Sequence, residues 1–112
     1  MLRTVLASLL ITGALLVGAG TAQAASCAPI KDPYAGSRYD GVDLSAIRAT
    51  GTTCAVARRT ARGAHRKALG LTPTDNGLRR FTWNGWRVTG DLRPESDKYV
   101  ARKGSRVVRW RF

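Results

Sequence analysis

Histidine and methionine each occur once in this chain, cysteine twice and acidic residues seven times, and each scarcity closes off a class of chemistry. One histidine and two cysteines cannot fill a four-ligand structural zinc site, so no metal and no cofactor is expected. A glycine-rich phosphate cradle is missing, and so is a Ser-His-Asp set with recognisable spacing. The acids are Asp32, Asp40, Asp43, Asp75, Asp91, Glu95 and Asp97. "YDGVDL", around Asp40 and Asp43, lacks the ligand spacing of a calcium loop. Glu95 and Asp97 sit two apart in "RPESD", where they suit a solvated turn better than a glycosidase pair. No enzyme is expected from this inventory.

Long apolar runs are scarce as well, and the one present is N-terminal. "MLRTVLASLLITGALLVGAGTAQA" has a short start with Arg3, an apolar run through Val17 and a small-residue exit at Ala22-Gln23-Ala24. That is the layout of a secretory signal peptide over residues 1–24, and the run is too short and too interrupted by glycine to read as a membrane span. Residues 25–112 then form a single small domain, secreted or extracellular, or retained at the cell envelope. An export route puts Cys27 and Cys54 in an oxidising compartment, where two thiols pair. Lipidation of Cys27 in "AASC" is an alternative. A nucleophilic Cys54 at a helix start would need His65 as its base, and eleven residues of continuous helix separate the two by about 16 Å.

What the chain has in abundance is positive charge. It holds 19 basic residues against 7 acidic ones, a net charge of +12; Arg3 is the one charged residue of the leader, so residues 25–112 carry 18 basic residues and a charge of +11. Such a surplus favours anionic partners, and the arginines fit bidentate contact with phosphate or carboxylate. An arginine-favouring genome would give the same composition.

Local patterning supplies the elements. Residues 25–41 are rich in Pro, Gly, Asp and Ser and read as a loop tethered by Cys27. Val42–Thr50 fits either a short strand or a helical turn. Thr52 or Thr53 suits an N-cap and Gly70 a stop; between them Cys54, Ala57, Ala61, Ala64 and Ala68 form one small-residue stripe. His65 falls on the buried side, and Arg59, Arg62, Arg66 and Lys67 lie outside the stripe. Residues 71–80 read as a connector. "FTWNGWRV" carries a two-residue hairpin signal at Asn84-Gly85. "WRVTGDL", "KYVAR" and "SRVVRWRF" follow as strands, with a tight turn expected at Lys103-Gly104. Alternation puts Tyr99, Ala101, Val108, Trp110 and Phe112 on one face, and Lys98, Val100, Arg102, Val107, Arg109 and Arg111 on the other.

Three segments, "GTTCAVA", "GWRV" and "YVARKGSRVVRWRF", together resemble small secreted proteins of actinobacteria that share a cysteine-started helix followed by a three-stranded antiparallel sheet. The resemblance implies architecture and compartment and lends no activity. Members often carry two further cysteines at positions that correspond to Val88 and Ala101, which are apolar here.

The expectation is therefore an α+β domain: one main helix packed on a three-stranded antiparallel sheet, with a disulfide-tethered N-terminal loop. Its expected work is to bind an anionic polymer or acidic surface, such as an envelope polymer, nucleic acid, lipid head groups or an acidic protein. Arg59, Arg62, Arg66 and Lys67 of the helix and Arg87, Lys98, Arg102, Arg109 and Arg111 of the sheet would make the contacts, with Trp83 and Trp86 stacking on bases or sugars. A secreted inhibitor acting by shape is the alternative, and a small hydrolase using His65 or an acid ranks third.

Overall fold

A computed structural model describes residues 23–112; the leader assigned to 1–24, apart from Gln23 and Ala24, lies outside the described residues. Among the described residues, six strands and one helix follow in chain order: β1 (Ala25–Ser26), β2 (Ser45–Thr50), α1 (Cys54–Leu69), β3 (Leu78–Trp83), β4 (Trp86–Asp91), β5 (Lys98–Lys103) and β6 (Arg106–Arg111). The strands form one antiparallel sheet in the order β1-β2-β6-β5-β4-β3. The expected three-stranded sheet is thus corrected to six strands.

Each added strand has a physical reason for escaping the pattern. In β2 the register slips between Ser45 and Arg48, a bulge at which Ala46 takes a φ of 50°. Leu44, Ile47 and Ala49 all point inward, but the extra residue breaks their period of two. In β3 the inward positions are Arg79, Phe81 and Trp83, opposite Gly90, Val88 and Trp86. Arginine at a core-facing position hides the alternation. Its head is satisfied there by the Leu71 carbonyl at 3.0 Å and the Tyr99 hydroxyl at 2.8 Å. The leading segment is more than a loop: β1 pairs with β2, the Cys27 amide donates to the Ile47 carbonyl and Ile30 bridges Leu44.

Helix α1 begins where Thr53 accepts a hydrogen bond from the Val56 amide at 3.1 Å and ends at Gly70. Sixteen residues span about 24 Å, enough to carry the chain from β2 to β3 across four strand spacings of about 4.8 Å. Ala57, Ala61, Ala64 and Ala68 are fully buried against the sheet. Because this stripe is made of methyl groups, the core is filled from the strands, by Ile47, Tyr99, Val108 and Trp110. Gly63 takes this logic to its limit: a Cβ there would lie 2.1 Å from the Trp83 ring.

Cys27 and Cys54 form the disulfide, which joins the leading segment to the first residue of α1. Val88 stands directly opposite Ala101. The terminal hairpin differs from expectation in one respect. Lys103 pairs with Arg106, so the turn is Gly104-Ser105 and the register is displaced by two residues from a Lys103-Gly104 turn. Gly104, at φ 61°, occupies the first turn position, where a positive φ is required in a II′ turn. A displacement of two preserves facing, so Tyr99, Ala101, Val108 and Trp110 are buried as alternation requires.

Candidate functional site

The helix covers one face of the sheet, and among the described residues the other face stays open. Outward positions of β2 to β6 can be followed across the strands through the register. One row runs Arg48, Arg109, Val100, Thr89, Arg80; a second runs Thr50, Val107, Arg102, Arg87, Thr82; a third runs Ser45, Arg111, Lys98, Asp91, Leu78. Seven cations, Arg48, Arg80, Arg87, Lys98, Arg102, Arg109 and Arg111, therefore share this face. Three cross-strand pairs set like charges directly opposite each other: Arg48 with Arg109, Arg87 with Arg102, and Lys98 with Arg111. Such pairs destabilise a sheet.

Carboxylates do little to relieve this repulsion. Asp91 is the one acid on the face among the described residues, and Arg93 holds it: the guanidinium Nε and a terminal nitrogen lie 2.9 and 3.0 Å from its two oxygens, and the Arg93 amide 3.1 Å. These contacts depress the Asp91 carboxyl to about 2. The other ion pair among the described residues, Lys31 with Asp43, belongs to the leading loop. Of the seven cations, Arg111 donates to Ser96 Oγ at 2.5 Å, while six remain solvated and exposed.

Three depressions run across the face. The first, about 250 Å³, is lined by Ala46, Arg48, Lys98, Val100, Arg109 and Arg111, with Tyr99 and Trp110 at its base. A second, about 740 Å³, is lined by Arg87, Thr89, Val100, Arg102 and Gly104. The third, about 290 Å³, lies among Arg80, Phe81, Thr82, Arg87, Val88 and Thr89. Val100 belongs to the first two, and Arg87 and Thr89 to the last two, so they form one shallow trough from β2 to β3.

All five sheet cations expected from sequence are on this face, and Arg48 and Arg80 join them. Those two escape the expectation because residues 42–50 stayed between a strand and a helical turn and residues 71–80 read as a connector, whereas they hold β2 and the start of β3. The helix residues lie elsewhere. Arg59, Arg62 and Arg66 are exposed on the outer side of α1, across the domain from the open face, near a hollow of about 320 Å³ lined by Ile30, Ala55, Arg58, Arg59 and Arg62. Lys67 is not part of that patch: its ammonium donates to the Thr82 carbonyl at 2.7 Å and lies over Phe81.

The two tryptophans expected as aromatic contacts face inward. Trp86 is 4% exposed in the core, and Trp83 packs on Gly63; both turn toward the helix because they share the inward register of Phe81 and Val88. Neither ring reaches the open face.

His65 is fully buried. Its Nδ1 lies 2.7 Å from the Tyr34 hydroxyl, and Phe112 and Tyr99 rings stand 4.2 and 5.0 Å away. Burial, reinforced by the positive charge of Arg79, lowers its pKa to about 4, while burial pushes Tyr34 up to about 12. The imidazole is a neutral core group at neutral pH. Both cysteines are oxidised, and no group of three or more potential metal ligands occurs among the described residues. No helix among the described residues is long and apolar enough to cross a membrane.

No family model, curated protein or solved structure matches the chain.

Proposed function

We propose that the chain is an exported, non-enzymatic module that binds an anionic partner through the open face of its sheet. One observation carries this reading: seven cations are displayed on one uncovered face, six of them in three like-charged cross-strand pairs, with the one acid beside them already held by Arg93. Evenly mixed charges would suffice for solubility; a single-sign face that opposes folding is explained by a ligand of the opposite sign. Export is supported by the N-terminal pattern of residues 1–24 together with the Cys27–Cys54 disulfide. The burial of His65 and the oxidation of Cys54 support a non-catalytic role.

Chromatography on immobilised heparin tests the reading. Retention at physiological salt and elution with rising salt are expected from counterion release. A protein that passes through unretained overturns it.

A further inference from the structure

Resting on that reading, we infer that the open face is a groove for a single linear phosphate chain, laid across the strands from β2 to β3, which reads phosphates and not bases. The central row supplies the path. Arg48 and Arg109 stand at one end and Arg80 at the other, and between them the floor is Val100 and Thr89, two uncharged side chains. Arg102 and Arg87 form one wall; Lys98 and Arg111 flank the other side. Val100 links the first depression to the second, and Arg87 and Thr89 link the second to the third, so the floor is continuous over about 19 Å, the width of four strand spacings.

The residues absent from the groove define the ligand. Base recognition in single strands relies on exposed aromatic platforms; Tyr99 and Trp110 border the first depression and Phe81 the third, but all three, like Trp83 and Trp86, occupy inward positions, and Tyr99 and Trp110 are buried, so none offers an open ring face. No asparagine or glutamine occurs among the outward strand positions to read a base edge. A bilayer surface suits the face poorly. Interfacial binding draws on exposed large apolar side chains, and Val42, at 39% exposure in the leading loop, is the one such residue among the described residues. Arginine forks over a neutral floor match the paired oxygens of a phosphodiester. Single-stranded nucleic acid and an inorganic or polyol phosphate polymer share that chemistry.

The test measures affinity by fluorescence anisotropy for labelled 15-mers of dT and of dA, an abasic 15-mer and inorganic polyphosphate of equal charge. Affinities within about threefold of one another are expected. A tenfold preference for either base-bearing strand over the abasic one, or for the abasic strand over polyphosphate, overturns reading by phosphate alone. Two variants of equal net charge test the groove. Thr89→Glu places a carboxylate in the floor and should weaken binding about 20-fold in 0.1 M salt, equivalent to two lost phosphate contacts at about fivefold each. Thr72→Glu, in the exposed connector after the helix, should change it less than twofold. Equal losses mean a diffuse charge effect and overturn the groove. Arg102→Gln, which leaves the floor intact, should lose about fivefold and serves if Thr89→Glu does not fold; no loss there counts against the groove equally. Retention on heparin with failure to bind all four chains overturns the groove alone, whereas failure on heparin as well removes the parent reading.

Discussion

Replacing Arg109 with threonine should make the free protein more stable and the bound complex weaker. Arg109 stands directly opposite Arg48 and, on its other side, opposite Val100, with Lys98 and Arg102 as diagonal neighbours. Removing one member of a directly opposed like-charged pair relieves between about 0.2 and 1 kcal/mol. Threonine is a good strand former, so little is lost locally. A gain of about 0.5 kcal/mol corresponds to roughly 2–4 °C in Tm for a domain of this size. Binding should move the other way. One phosphate contact fewer lowers the salt slope by about 0.7 and the affinity about fivefold in 0.1 M salt. Calorimetry at low salt and anisotropy on one protein preparation give both numbers. In 1 M salt, where the Debye length is about 3 Å, the stability gain should shrink toward zero. A variant that melts lower than the parent at low salt, or that binds a polyanion as tightly, refutes the view that ligand charge balances repulsion on this face.

Two further outcomes follow from the core. Gly63→Ala should destabilise the fold by about 1–2 kcal/mol: overpacking against Trp83 costs about 1–3 kcal/mol, more than the gain of up to about 1 kcal/mol in helix propensity, and a urea midpoint equal to or above the parent's would contradict this packing. Lowering the pH should destabilise the protein through His65. Its folded pKa of about 4 lies below the ordinary 6.5, so the unfolded chain binds the proton first and stability falls as pH drops from about 6.5 through 4. The full loss is about 3 kcal/mol, and a Tm unchanged between pH 7 and pH 4.5 would show that the imidazole does not titrate in this way.

Much of the helix and the terminal hairpin was legible because propensity and pattern agree there. The alanine stripe, the threonine cap and the Asn84-Gly85 turn each act locally, and Asn84 and Gly85 do adopt the positive φ values, 46° and 81°, of a type I′ turn. Half of the sheet was hidden for reasons that are tertiary. Ala46 resets the alternation of β2, and Arg79 is tolerated inside because Leu71 and Tyr99 receive its hydrogen bonds. β1, at two residues, is too short to show any period. The candidate face was partly visible for the same reason: alternation found the cations of β4, β5 and β6, and missed Arg48 and Arg80. The tryptophans were misjudged because proximity to arginine in sequence carries no information about facing until a register is known.

The sulfur bridge has a consequence for how this sheet meets other chains. By pinning Ser26 and Cys27 alongside Arg48 and Ile47, it covers part of the outer edge of β2 with a strand of only two residues. The opposite border, along Leu78–Trp83, keeps its outer backbone unpaired by any strand, with Lys67 blocking one carbonyl near its end. Reductive opening would loosen this two-residue hem and make more of β2's edge available for intermolecular zippering, so oxidative closure guards against self-association as well as adding rigidity.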